Sequence, residues 1–110
     1  MDKKKLWSPT ATSNNIDLFK KHISKKINIE SYKDLHKWSI DFKEEFWNIV
    51  WDFTHLIGEK KGEVFKGSEN FIDAKFFENS SLNYAENCLK KNNNDDAIIF
   101  YNEKKNSKRI

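Results

Sequence analysis

The 110-residue chain contains one cysteine, one proline, three glycines and a single arginine, Arg109. Each scarcity excludes something. A lone Cys88 makes no internal disulfide, which points to a reducing compartment, and the expected location is cytoplasmic. Gly58, Gly62 and Gly67 stand apart and match neither dinucleotide-loop nor nucleotide-loop spacing. Nucleic-acid sites favour arginine for its forked donors, so a basic chain built on lysine argues against a nucleic-acid partner. The net charge is +3. It is spread as Lys20-Lys21, Lys25-Lys26, Lys60-Lys61, Lys90-Lys91 and Lys104-Lys105 among acids, the pattern of a solvated face. No apolar run is long enough for a signal peptide or a membrane span, so no membrane partner is expected.

Aromatic residues are abundant, at 15% of the chain, although the mean hydropathy is only −0.87. That content excludes a disordered chain and allows one small domain with a modest core. Three of the four tryptophans fall between residues 31 and 53. There, Ser31 with Asp34 reads as a capping box, and Asp41 with Glu44 repeats the arrangement. The spacing predicts a helix over about 32–39, a kink at Ser39–Asp41 and a longer helix over about 42–57. On the longer helix Phe42, Phe46, Ile49, Phe53 and Leu56 form one stripe, and Trp47, Val50, Trp51 and Thr54 form a second. Glu44, Asn48, Asp52 and His55 make one narrow polar line. A helix apolar around so much of its girth needs cover on more than one side.

Residues 1–12 read as an extended basic arm that lays the Trp7 indole on the body. Ser13, Asn14 and Asn15 are cap types, and Ile16, Phe19, Ile23 and Ile27 predict a first helix over about 15–27. Gly58 reads as the stop of the long helix. Residues 59–78 are irregular, with Val64-Phe65 a short extended turn, and Phe71, Ile72, Ala74, Phe76 and Phe77 imply a loop pinned to apolar surface. Asn83 with Glu86 predicts a last helix, about 83–91, burying Tyr84, Cys88 and Leu89. Ala97 to Tyr101 is a run without polar alternation, the pattern of a strand buried on both faces. Residues 102–107 form a polar turn, and Lys108 begins a second strand. A hairpin is marginal alone. This one asks for a sheet that the chain does not contain.

Chemistry-bearing groups are sparse. His22, His36 and His55 are far apart and complete no metal-ligand spacing. Cys88 has no neighbour to lower its pKa. Glu44 and Glu45 point apart on a helix and make a poor carboxylate pair. We therefore assign no catalytic, cofactor-binding or metal residue within these 110 positions.

The order of the aromatic series carries a resemblance. Trp7-Ser8-Pro9, Tyr32 with Leu35-His36 and Trp38-Ser39-Ile40, Phe46-Trp47 with Val50-Trp51-Asp52-Phe53, Phe76-Phe77, and Leu82-Asn83-Tyr84-Ala85-Glu86-Asn87 resemble the N-terminal region of acetoacetyl-CoA synthetases. These belong to the acetyl-CoA synthetase-like branch of the adenylate-forming enzymes. Phe76-Phe77 stands where that family has Trp-Phe, Asn79 where it has Gly, and Cys88 where it has Leu. Asn tolerates positive φ, so the turn at 79 is expected to survive.

The resemblance implies a mainly α fragment of about four helices ending in a β-hairpin, the front part of a large α/β adenylate-forming enzyme. It implies three segments: the arm 1–12, a helical N-terminal domain 13–91, and 96–110 as the start of the large AMP-binding domain. In the parent it implies ATP, Mg²⁺ and coenzyme A, a small-molecule acid substrate, and acyl-adenylate formation followed by thioester formation. For this piece it implies a structural role, with the rest of the same polypeptide as its partner. An acetyl- or propionyl-CoA synthetase N-terminal region and a free-standing helical protein-interaction adaptor are the alternatives.

Overall fold

The computed structural model describes residues 3–10, 14–104 and 107–110. Ser13, the outer parts of the arm and the tip of the 102–107 turn lie outside the described residues. Helices α1 (Asn15–Ser24), α2 (Tyr32–Asp41) and α3 (Lys43–Phe53) come first. Four two-residue strands follow: β1 (Gly58–Glu59), β2 (Phe65–Lys66), β3 (Lys75–Phe76) and β4 (Ser81–Leu82). A 3₁₀ turn, Phe71–Asp73, precedes β3. Helix α4 (Tyr84–Cys88) and the hairpin β5 (Ile99–Tyr101) and β6 (Ser107–Arg109) complete the chain. The strands pair antiparallel as β1 with β4, β2 with β3 and β5 with β6.

Local chemistry explains the starts. The Asn14 side chain accepts the Asp17 N–H at 2.9 Å and caps α1. At α2 the capping box is complete: the Asp34 N–H donates to Ser31 Oγ, and the Ser31 N–H and hydroxyl donate to Asp34 Oδ2 at 3.0 and 2.7 Å. These bonds, the hydroxyl one first, hold the Asp34 carboxyl below its ordinary range.

The stops differ from expectation. Helix α1 ends at Ser24, not 27, although the Ile27 N–H still reaches the Ile23 carbonyl. The expected cap at Asp41 does not form. Asp41 pairs with Lys37 at 2.6 Å, which raises the Lys37 ammonium, and the break falls on Phe42, where φ is −125° and ψ is 56°. Helix α3 ends at Phe53, not 57, because His55 turns left-handed at φ 53°. Gly58 is therefore not the stop. It lies in β1, where a Cβ would stand 2.7 Å from the Ser81 carbonyl and 3.2 Å from the Trp51 ring, so a side chain there would push the strands apart.

The core packs α3's first stripe on α1 and α2. Phe19, Ile23, Ile29, Leu35 and Trp38 are buried, and Phe46, Ile49, Val50 and Phe53 pack against them. Phe19 meets Phe46 and Phe53 edge-on at 5.9 and 5.1 Å, and Trp38 meets Phe46 at 5.7 Å. Such aromatic pairs add specificity to the burial.

Four expectations about burial fail. The Trp7 indole is exposed and unseated, and Phe71 and Ile72 are 83% and 88% exposed on their turn. Cys88, Tyr84 and Leu89 are exposed because α4 meets the rest of the described chain through Asn87 and not through these side chains. The β5 strand, read as doubly buried, is exposed throughout. The radius of gyration is 18.7 Å, against about 13 Å for a compact domain of this length.

Phe19→Ala should lower unfolding stability by about 3–5 kcal/mol, whereas Phe71→Ala should change it by less than about 0.5 kcal/mol. Urea denaturation of the two variants checks the contrast. Ser31→Ala should return the Asp34 titration towards the ordinary carboxylate range. The folded value lies below the unfolded one, so the stabilisation from Asp34 is present above the unfolded value and fades as pH falls through the folded one. NMR titration of the Asp34 carboxyl in the variant, with melting followed down the same pH range, reads both effects.

Candidate functional site

The second stripe of α3 forms the floor of an apolar cleft. Trp47, Val50 and Trp51 come from the helix, and Leu56, Phe76, Phe77 and Leu82 rise from the segment that follows. The cavity measures about 480 Å³. Trp51 is buried and lies 4.8 Å from the Phe77 ring. Trp47 meets Phe76 at 5.8 Å, and Phe76 meets Phe65 at 4.9 Å across the β2–β3 pair. Phe77 pays for its seat with left-handed backbone at φ 50°, a strain of about 1–2 kcal/mol for a residue with a Cβ. Asn79, where positive φ was expected, does not carry it; the reversal falls two residues earlier.

Strands of two residues hold little by themselves, and polar side chains brace this wall. Asn87 Oδ1 accepts the Ile57 N–H at 2.8 Å, and its Nδ2 donates to the Ile57 carbonyl at 2.8 Å and to the Asn83 carbonyl at 2.9 Å. The β1–β4 register places Ile57 opposite Asn83. Asn83, however, leaves the ladder to cap α4 by accepting the Glu86 N–H at 3.0 Å. One helical turn on, the Asn87 amide satisfies the Ile57 peptide in its place. At the other end of β1, the Lys61 N–H donates to Ser80 Oγ at 2.9 Å and the Ser80 hydroxyl donates to the Lys61 carbonyl at 3.2 Å.

Two lysines finish the frame. Lys60 Nζ donates to Asn48 Oδ1 at 2.6 Å and Asp52 Oδ1 at 2.8 Å, covering the polar line of α3. Lys90 Nζ donates to the Thr54 carbonyl at 3.1 Å, which brings a cation to the negative end of α3. Helix α3 has no basic residue of its own in its last turn.

The chemistry available here is hydrophobic association. Among the described residues, no three His, Cys, Asp or Glu side chains converge as a metal-binding group. His22 lies against Phe53 at 5.5 Å and His36 stacks on Tyr32 at 6.3 Å, while His55 serves the turn after α3. Glu44 and Glu45 sit in the first turn of α3, at its positive end. The motif 82–87, read as one helix start, contains the Asn87 clamp that the sequence reading missed. The second asparagine, four residues after a capping asparagine, was the signal for it.

These features define a helical region with an apolar cleft and a braced wall. The chain belongs to the acetyl-coenzyme A synthetase N-terminus family, whose model matches residues 32–88. It is 38% identical over 79 residues to an acetoacetyl-coenzyme A synthetase of Rhizobium meliloti (strain 1021), covering 72% of this chain and 12% of that protein. It is 33% identical over 111 aligned residues to an acetoacetyl-CoA synthetase of Xenopus tropicalis, covering 96% of this chain and 16% of that one. A malonamoyl-CoA synthetase of Penicillium aethiopicum is 29% identical over 89 residues, 76% of this chain and 12% of its own length. The chain thus spans roughly an eighth to a sixth of the length of these relatives. No solved structure matches it. The resemblance read from the aromatic series therefore holds, and it lies with the N-terminal region of acetoacetyl-CoA synthetases.

Asn87→Ala should free the Ile57 amide to exchange at least about tenfold faster while leaving the α4 cap in place. Asn83→Ala should cost about 1 kcal/mol and fray α4 first. Residue-resolved hydrogen exchange separates the two roles; equal effects at Ile57 would remove the clamp.

Proposed function

We propose that this chain is the N-terminal, non-catalytic region of an acetoacetate–CoA ligase. In this reading residues 13–91 form a helical covering domain, 1–12 an arm, and 96–110 the first hairpin of a large AMP-binding domain. The observation that carries it is the run of similarity to acetoacetyl-CoA synthetases over nearly the whole chain, 96% of it in the Xenopus tropicalis relative. The exposed apolar hairpin and the uncovered Tyr84–Leu89 face support it, since both ask for a body to lie against.

The parent activity in this proposal consumes ATP, with Mg²⁺, to form an acyl-adenylate, and coenzyme A then takes the acyl group. The residues present do not fit the nucleotide or the metal. Gly58 lies in a strand contact, Gly62 turns at φ 68° and Gly67 stands in an irregular stretch, and no acidic cluster forms among the described residues. The contribution of this chain is mechanical. It buries the Trp38 and Trp51 indoles in its own core and offers apolar surface to the catalytic body. A free-standing adaptor is favoured by one feature, the self-contained core of α1 to α3. It requires a monomeric chain that binds no hydrophobic dye.

The reading frame downstream should carry a Ser/Thr/Gly-rich loop followed by Pro-Lys within about 100–200 residues. The encoded polypeptide should convert acetoacetate, ATP and coenzyme A to acetoacetyl-CoA, AMP and pyrophosphate, and prefer acetoacetate to acetate. Malonamate belongs in the same panel because of the fungal relative. A frame without the loop, or a polypeptide inactive on all three acids, overturns the proposal.

A further inference from the structure

The hairpin has two open edges, and its chemistry distinguishes them. The Ile98 N–H donates to the Ile110 carbonyl at 3.0 Å and the Ile110 N–H to the Ile98 carbonyl at 2.9 Å. Ile99 pairs with Arg109, Phe100 with Lys108 and Tyr101 with Ser107. Hydrogen-bonded and non-hydrogen-bonded pairs alternate along an antiparallel ladder. Phe100 and Lys108 therefore bond inward, as Ile98 and Ile110 do. Ile99 and Tyr101 turn their N–H and C=O groups out from β5, and Ser107 and Arg109 turn theirs out from β6. The sheet has two strands among the described residues, so neither outward row has a strand partner there.

On β5, Ile98 and Phe100 share one face and Ile99 and Tyr101 the other, so both faces are apolar. All four side chains are exposed, from 47% at Ile99 to 64% at Tyr101. On β6 each face carries a cation, Lys108 on one and Arg109 on the other, with Arg109 paired to Asp96 at 2.6 Å. A charge on each face marks a strand that stays at a sheet edge, because desolvating either cation is costly. An apolar strand without alternation belongs inside a sheet.

We propose that the free edge of β5 receives an extended strand supplied by the same polypeptide beyond residue 110, and that β6 is the outer edge of the resulting sheet. This rests on the reading that the chain continues, supported by its span of 12–16% of its relatives' length. The incoming strand is apolar on both faces, rich in Val, Ile or aromatic residues, and bonds through Ile99 and Tyr101.

Amide exchange at single-residue resolution, compared between the polypeptide of the full reading frame and the 110-residue chain, tests this. Ile99 and Tyr101 should exchange at least about a hundredfold slower in the full polypeptide, while Ser107 and Arg109 keep the rates of the short chain. Slowing at Ser107 and Arg109 instead, or at none of the four, overturns the assignment. Protection of Ile99 and Tyr101 in the short chain that rises with concentration overturns it in favour of a second copy. A second measurement uses proline, which removes an outward N–H and leaves the hairpin ladder intact. Ile99→Pro should lower the melting temperature of the full polypeptide and Ser107→Pro, whose N–H also points outward from β6, should not; equal effects overturn the proposal. Protection at Ile99 and Tyr101 in a polypeptide without ligase activity upholds the edge assignment and removes only the ligase reading. An active ligase that leaves these amides unprotected does the reverse.

Discussion

Helix α3 carries apolar side chains around most of its circumference, and the chain from α1 to β4 is arranged by the need to cover two of its faces. Burying each large side chain is worth about 1.5–3 kcal/mol, which a small domain cannot forgo. The middle of the first stripe, Phe46, Ile49 and Phe53, is covered locally. Helices α1 and α2 precede α3 in the chain and bring Phe19, Leu35 and Trp38 onto Phe46 and Phe53. The second stripe is covered from the other side by chain that follows α3 and turns back over it. Phe76 and Phe77 are placed on Trp47 and Trp51 by that return.

The two covers are stabilised differently. Helix packing against helix needs only the apolar stripes and their caps. The return segment has no helix and only two-residue strands, so its backbone is held by side chains from distant positions. Asn87 satisfies Ile57, Ser80 satisfies Lys61, and Lys90 reaches the end of α3. Gly58 permits the close approach of β1, β4 and the Trp51 ring. Direct opposition of Lys66 and Lys75 in the β2–β3 pair works against this cover, so its stability comes from the aromatic contacts of Phe65 and Phe76 on the same pair.

What was legible in the sequence follows the same division. The helices of the first cover could be read because period and caps are local. Ser31 with Asp34 and Asn83 with Glu86 bond as their spacing implies. Asp41 with Glu44 has the same spacing and does not cap, because Lys37, one turn before Asp41 on α2, takes its carboxylate. The end of α3 was misplaced because Leu56 and Ile57 continue the apolar period after the backbone has already reversed at His55. The clamp by Asn87 was hidden because its partner is 30 residues away; the spacing of the two asparagines marks the residue and not what it bonds. The cleft was legible in part. Its helix floor was visible in the spacing of Trp47, Val50 and Trp51, and its walls depend on the return of the chain.

The burial errors share one direction. Trp7, Phe71, Ile72, Tyr84, Leu89 and the β5 residues were all expected to be covered, and all are exposed. Their backbones are nonetheless placed without them. Helix α4 is fixed by its Asn83 cap and the Asn87 and Lys90 bonds, none of which uses Tyr84, Cys88 or Leu89. The hairpin is closed by its own ladder and the Arg109–Asp96 pair. Polar bonds therefore set the positions of apolar side chains that contribute little to the fold of these residues. A surface ordered in this way loses less conformational entropy when a partner covers it. In the proposed reading the exposed aromatics are contact surface prepared in advance, while the buried ones around α3 keep the scaffold that presents it.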